Sequence, residues 1–149
     1  MRITSHSFFP NGMIPKKYTC QGNNVSPSIE IIDAPAATKS FAVIVHDHDV
    51  PGGDFVHWLL WNIDPKILNI REATTPVGAV EGTNDAELCG WTGPCPPSGT
   101  HRYEFHVYAL NSMIGLPMVS TKNELRNEIK EKILEEASIV GLYNKKEHE

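Results

Sequence analysis

The sequence contains little cysteine, and this scarcity limits the ways in which the chain can be stabilised. Three cysteines among 149 residues are too few for a disulfide framework, and a small, odd number is typical of a reducing compartment. Cys89 and Cys95 would bridge only under oxidation, and we do not expect them to do so. The fold must therefore depend on a packed core rather than on cross-links.

Long apolar segments and basic runs are also missing. A membrane span needs about 20 consecutive apolar residues, and no segment of the chain approaches that length. The first ten residues lack the apolar core of a secretory signal, so we expect a cytoplasmic protein with no transmembrane segment. A formal net charge of −5 without a dominant basic run argues against nucleic acid as a partner, although it does not exclude a local anion site.

What the sequence does contain indicates a globular, mainly β protein. A length of 149 residues predicts a single domain spanning 1–149, and 40% hydrophobic with 21% charged residues is typical of a folded chain. Segments rich in β-branched and aromatic residues alternate with Gly, Pro, Asn and Asp, which is the pattern of short strands joined by turns. The clearest predicted strands are 41–45, 56–63 and 102–110, the first being apolar throughout and therefore expected at the centre of a sheet.

The C-terminal part changes its period. Thr121 and Glu124 form a capping box, and apolar residues then recur at every fourth position, at Leu125, Ile129, Ile133 and Ala137. Gly141 fits a helix C-cap. This pattern predicts one long amphipathic helix packed on the β body.

The candidate site lies in a loop rich in proline and glycine. Residues 90–103 contain three prolines and three glycines, which restrict the backbone and lead into His101 and Tyr103 at the start of a predicted strand. Two other polar segments adjoin apolar runs, Asp47-His48-Asp49 and His57. Each segment alone is explained by turn residues or a buried histidine, but the three together predict a pocket.

Strand alternation assigns sides to the polar residues around position 47. Asp47 and Asp49 should point one way, and His46 and His48 the other. A carboxylate beside His57 or His101 would raise the pKa of the histidine toward and above neutrality. A cationic imidazole, together with the backbone N–H groups at Gly99 and the next residue, would then bind an anion such as phosphate.

Two enzymatic alternatives remain open. His57, His101 and Asp47 match the ligand set of two histidines and one carboxylate used by iron oxygenases, which would make the protein a metal-dependent enzyme. Cys95 with His101 would be the pair of a thiol hydrolase. No spacing motif supports either alternative, and we expect no catalytic residues, no metal and no cofactor.

These segments resemble the phosphatidylethanolamine-binding protein family, also called Raf kinase inhibitor-like proteins, and in particular its short bacterial and archaeal branch. The family's Asp-Pro-Asp-x-Pro motif corresponds to Asp47-His48-Asp49-Val50-Pro51, and its central histidine segment begins at His57. The Gly-x-x-Pro-Pro…His-Arg-Tyr motif corresponds to residues 93–103, and an early Gly-x-Asn-x-Ser-Pro signature to residues 22–27. His48 departs from the motif, because it stands where the family has proline.

The resemblance implies a fold of two antiparallel sheets, a β-sandwich with peripheral helices, and a small pocket for phosphate-type head groups such as phosphoethanolamine. It implies that Asp47, His57, His101 and Tyr103 line the pocket, that Pro96 and Pro97 form its rim, and that Arg102 braces the loop. With Asp49 and Gly99 added from the residue pattern, these are the predicted ligand-binding residues. The resemblance also implies a homodimer and, as a second possible function, inhibition of a kinase or serine protease through the proline loop.

Overall fold

The computed structural model describes residues 1–148 and consists mainly of two antiparallel sheets. The elements, in chain order, are β1 (Arg2–Thr4), β2 (Ile29–Ile32), β3 (Ser40–Asp47), β4 (Phe55–Ile63), β5 (Asn69–Ile70), β6 (Val80–Glu81), β7 (His101–Leu110), α1 (Lys122–Ile129) and β8 (Ile133–Tyr143), with short 3₁₀ turns at Lys16–Tyr18 and Lys145–His148. The small sheet has the order β1-β2-β5 and the large one the order β6-β4-β3-β7-β8. The predicted fold class is confirmed.

Strand β3 lies at the centre of the large sheet, as its continuous apolar run predicts. It pairs with β4 on one side and with β7 on the other, and all of its residues are buried. Phe41, Val43 and Val45 contribute to the core cluster that includes the small sheet. Ala42 and Ile44 point to the opposite face, where they pack with residues of α1. Both faces of β3 are therefore covered, so β3 is a rigid base for the polar residues at its end.

The predicted C-terminal helix is correct at its start and wrong in its length. Helix α1 begins after Thr121, where the capping box with Glu124 is formed, and ends at Ile129. The following segment, Ile133–Tyr143, is strand β8, which pairs along the whole length of β7. Gly141 is not a helix cap, since it lies in this strand. No helix formed by residues 1–148 is long and apolar enough to cross a membrane.

The structure corrects the expectation that the chain forms no disulfide. Cys20 and Cys95 are bonded across 75 residues of sequence, with a Cα–Cα distance of 5.5 Å that is ordinary for such a bridge. Cys89 is free and exposed. Because two of the three cysteines are paired, cysteine usage does not indicate a reducing compartment, and the cytoplasmic location stays a prediction.

Candidate functional site

The register of three strands brings the predicted site residues together. Asp47, the last residue of β3, is opposite Tyr103 in β7 and opposite Phe55 in β4. His57 is two residues further along β4, and its ring lies 5.3 Å from that of Tyr103 between centroids. Residues that are 56 positions apart in the chain, such as Asp47 and Tyr103, thus meet at one end of the sheet.

A cavity of about 180 Å³ opens at this end of the sheet. Six of the eight predicted binding residues line it, namely Asp47, His57, Pro96, Pro97, His101 and Tyr103. Five further lining residues were not predicted, namely Val50, Phe55, Thr92, Gly93 and Cys95. The wall therefore combines a few polar side chains with apolar and proline surface, which is the usual character of a small-molecule pocket.

Asp47 organises the polar side of the cavity. Its carboxylate is buried, with 2% of the residue exposed, and one oxygen accepts a hydrogen bond of 2.6 Å from Nδ1 of His101. The other oxygen accepts the backbone N–H of Asp49 at 2.8 Å. Burial and then the charge of Asp47 raise the pKa of Tyr103 far above its usual value, so the phenol keeps its proton. Because a buried carboxylate must be hydrogen-bonded to be stable, these contacts fix the geometry of the site.

His57 does not have the carboxylate partner that the sequence predicted for one of the two histidines. Its Nδ1 donates to the carbonyl oxygen of Thr92. Burial, which is the largest influence, lowers the pKa of His57, and the Thr92 carbonyl and the charges of Asp47 and Asp85 offset this only in part. His57 is therefore mainly neutral near pH 7, and the expectation of a raised pKa is wrong for this residue.

Both imidazoles keep one nitrogen available to a ligand. In His57 and His101 the Nδ1 atom is hydrogen-bonded. Among the side chains of residues 1–146, neither Nε2 atom has a hydrogen-bond partner, and neither is a fully buried atom without one. Each Nε2 accepts a hydrogen bond when its ring is neutral and donates one when the ring is protonated. The two Nε2 atoms are therefore the imidazole atoms that remain for a ligand in the cavity.

The proline loop is held against the N-terminal part of the chain. The backbone N–H of Gly93 donates to Oδ1 of Asn24 at 2.9 Å, and a Cβ at Gly93 would lie 2.3 Å from that oxygen and from the carbonyl oxygen of Tyr18. The Cys20–Cys95 bond adds a covalent link between the same two segments. Sequence reasoning missed this support, although Asn24 belongs to the early Gly-x-Asn-x-Ser-Pro signature that could have revealed it.

Two predicted residues, Asp49 and Gly99, do not line the cavity. The Asp49 carboxylate accepts hydrogen bonds from the backbone N–H, Nε and Nη2 of Arg102 at 2.8–3.0 Å. The guanidinium of Arg102 lowers the pKa of Asp49 to about 2, so the pair remains charged and braces the loop. Gly99 is exposed, and its φ of 72° marks it as a turn residue.

Neither enzymatic alternative matches the geometry. Cys95 is oxidised in the disulfide, so it offers no thiol nucleophile. Among the side chains of residues 1–146, the three that converge as candidate metal ligands are His46, His48 and Glu104, and not His57, His101 and Asp47. Neither the three-ligand metal set nor the thiol–histidine pair is therefore formed at the cavity.

Comparisons with known proteins place the chain in a family. The profile of the family described as phosphatidylethanolamine-binding protein matches residues 4–144. A UPF0098 protein of Methanothermobacter thermautotrophicus is 37% identical over 150 residues, which cover 97% of this chain and 99% of the relative. A UPF0098 protein of Aquifex aeolicus is 40% identical over 152 residues, with 97% and 89% covered.

Two solved structures have the same fold. A putative phosphatidylethanolamine-binding protein homologue from Chlamydia trachomatis superposes with a TM-score of 0.92 and 36% identity, covering 96% of each chain. Escherichia coli YbcL, described as a new member of the mammalian family, gives a TM-score of 0.91 and 30% identity over 96% of this chain and 97% of its own. The chain belongs to the phosphatidylethanolamine-binding protein family, as the sequence motifs predicted.

Proposed function

We propose that the protein is a single-domain, non-enzymatic binding protein whose cavity takes a small phosphate-bearing head group. The observation that carries this proposal is the pairing of Asp47 with His101 at 2.6 Å, beside a second imidazole, His57, in the same cavity. The carboxylate orients one imidazole, and the two Nε2 atoms are left as the polar groups that a ligand meets.

The size of the cavity supports a head group rather than a whole lipid. Sites for drug-sized ligands usually enclose about 300–1,000 Å³, whereas this cavity measures about 180 Å³. A phosphate with a short ethanolamine or a phosphorylated side chain fits this size, and two acyl chains do not. The amine of phosphoethanolamine also has a carboxylate, Asp47, within the same wall.

Binding of an anion should be coupled to proton uptake. In the neutral His57 ring, Nδ1 carries the proton and donates it to the Thr92 carbonyl, so Nε2 presents a lone pair that repels phosphate. A bound phosphate favours the protonated form of His57. The charges of Asp47 and Asp85 also favour that form, whereas the charge of His101 disfavours it. Tyr103 faces the same ring and remains a neutral phenol. Binding should therefore be tighter at pH 6 than at pH 7.5.

The experiment is an NMR titration of labelled protein with phosphoethanolamine, phosphotyrosine and ethanolamine at pH 6 and pH 7.5. Saturable shifts at Asp47, His57 and His101 with the two phosphate compounds, stronger at pH 6, are expected. Calorimetry in two buffers that differ in ionisation enthalpy should detect the proton taken up on binding. The ranking of the two phosphate compounds then identifies the class of head group.

His57→Ala should abolish the shifts, whereas His6→Ala is the matched control. His6 is an exposed histidine with a carboxylate partner, Glu30, on the small sheet, so its removal should not change binding. An absence of shifts at millimolar phosphoethanolamine, or binding that His57→Ala leaves unchanged, would contradict the proposed function. Shifts with ethanolamine alone would show that the cavity recognises the amine and not the phosphate.

A further inference from the structure

A second cluster of polar side chains lies on the opposite face of the sheet from the cavity. Alternation along β3 turns His46 away from Asp47, and His48 follows on the same side, as the sequence predicted. Both rings reach Glu104 of β7, which is opposite His46 in the strand register. We propose that His46, His48 and Glu104 form a binding site for a divalent transition-metal ion, with Zn²⁺ as the best match.

The ligand atoms already have the spacing that a metal ion requires. Nε2 of His46 and Nε2 of His48 each lie 3.0 Å from Oε1 of Glu104, and all three atoms lie within 4.8 Å of one another. With Zn–N and Zn–O bonds of about 2.0–2.1 Å, two ligands at the tetrahedral angle are about 3.3 Å apart. An ion can therefore be accommodated between these atoms with small side-chain adjustments.

The contacts behind the three ligands are those that support a metal site. A histidine that binds metal through one nitrogen usually donates its other N–H to a carboxylate, and Nδ1 of His46 lies 2.9 Å from Oδ1 of Asp54. Asp54 is held in turn by Nη1 of Arg126 at 2.9 Å. On the other side, the hydroxyl of Ser138 donates to Oε2 of Glu104 at 2.8 Å, which leaves Oε1 for the ion. The side chains of His46 and Glu104 are thus held in position by neighbouring residues.

Binding of an ion would replace hydrogen bonds that the cluster now makes. Nε2 of His46 and Nε2 of His48 both contact the same carboxylate oxygen of Glu104, and an imidazole nitrogen makes such a contact as a proton donor. A metal ion in this position would take the place of those two protons, because imidazole binds metal through a deprotonated nitrogen.

The ligand types determine which ion fits. Two imidazoles and one carboxylate favour Zn²⁺ and its neighbours in the first transition row over Mg²⁺ or Ca²⁺, which prefer oxygen ligands alone. Three protein ligands leave a fourth tetrahedral position for water. His106 adds a further imidazole beside the cluster, with Nδ1 3.7 Å from Oε1 of Glu104. The proposed site is separate from the cavity, since none of its three ligands lines that cavity.

The test uses full-length protein without an affinity tag, stripped of metal with a chelator and titrated with ZnCl₂ by calorimetry. One equivalent should bind, and magnesium at the same concentration should not. In histidine ring ¹⁵N spectra, the Nε2 signals of His46 and His48 should shift, while those of His57 and His101 stay in place. A shift of His57 and His101 instead would overturn the proposal, because it would assign the ion to the cavity.

His48→Ala is the decisive variant, because this side chain is 42% exposed and its loss should not disturb folding. Loss of an outer partner of a metal ligand costs roughly 10–100-fold in affinity, so loss of a ligand should weaken Zn²⁺ binding by at least about tenfold. Glu104→Gln should do the same, whereas the control His6→Ala should bind like the original chain. Equal affinity in His48→Ala, or no binding by the unaltered protein at 100-fold excess of zinc, would refute the site.

Discussion

Replacing Asp47 with asparagine is expected to destabilise the protein by about 2 kcal/mol. Asparagine keeps one oxygen, which can still accept the N–H of Asp49, but it turns the other oxygen into an NH₂ group. That group would face Nδ1 of His101 across 2.6 Å, so the ring would either meet a second donor or change its tautomer, and in both cases the hydrogen bond to a charged carboxylate is lost. The loss of one hydrogen bond to a charged, buried group costs roughly 1.5–3 kcal/mol, and the retained bond limits the effect to that range.

The assay is urea unfolding at pH 7, with Asp64→Asn as the control. Asp64 accepts the backbone N–H of Lys66 at 2.8 Å, which is the same contact two residues along the chain that Asp47 makes, but it is exposed. The control should change the free energy of unfolding by less than about 0.5 kcal/mol. Histidine ring ¹⁵N spectra of Asp47→Asn should also show that His101 has lost its fixed tautomer. If the two variants are equally stable and His101 is unchanged, Asp47 does not organise the site.

Three further predictions concern the surroundings of the site. Because burial lowers the pKa of His57, the unfolded chain takes up a proton before the folded chain does as the pH falls below about 6.5. The free energy of unfolding should therefore fall by at most about 1.4 kcal/mol per pH unit. His57→Gln should flatten this slope in urea unfolding from pH 7.5 to 5. Cys95→Ser removes the disulfide to Cys20, which joins residues 75 positions apart, and should lower the free energy of unfolding by roughly 4 kcal/mol in non-reducing urea. Cys89→Ser should leave it almost unchanged, and equal effects of the two substitutions would argue against the disulfide. Thr121→Ala should cost about 1 kcal/mol by removing the cap of α1, and an unchanged unfolding midpoint would show that the cap is dispensable.

Much of the fold could be predicted because apolar periodicity and turn residues are local signals. The run from Phe41 to Val45 predicted a strand covered on both faces, and β3 is that strand. The sequence could not predict the order of the large sheet, β6-β4-β3-β7-β8, since strand pairing depends on contacts between distant segments. The motifs indicated two antiparallel sheets through the family resemblance, but not the order of the strands within them.

The error in the C-terminal part has a physical cause. A spacing of four residues is close to one helical turn, but it is also an even number, so residues at that spacing share a face in a strand as well. Ile133 and Ala137 satisfy both periods. The deciding residues are Ile139, Gly141 and Tyr143, which are buried at every second position. Gly141 has no side chain because Ile14 and Phe8 occupy that space, which no local pattern reveals.

The sequence predicted the main polar residues of the candidate site, but not the contacts that hold the surrounding loop in place. Asp47, His57, His101 and Tyr103 were named from motif positions, and all four line the cavity. The bond between Cys20 and the proline loop joins residues far apart in sequence, and cysteine pairing cannot be deduced from spacing alone. The lowered pKa of His57 was likewise beyond reach, because it depends on burial, which only the packed structure defines.

The two proposed sites lie on opposite faces of one pair of strands, β3 and β7. In the β3–β7 ladder, His46 is opposite Glu104, and the next pair is Asp47 opposite Tyr103. The side chains of neighbouring pairs point to opposite faces of a sheet, so the proposed metal site and the cavity lie on opposite faces of the same two strands. A substitution that displaced the end of β3 would disturb both sites, whereas one that removes only a side chain would disturb one. Zinc affinity in His57→Ala and phosphoethanolamine affinity in His48→Ala are therefore the internal controls that separate a lost ligand contact from a shifted strand.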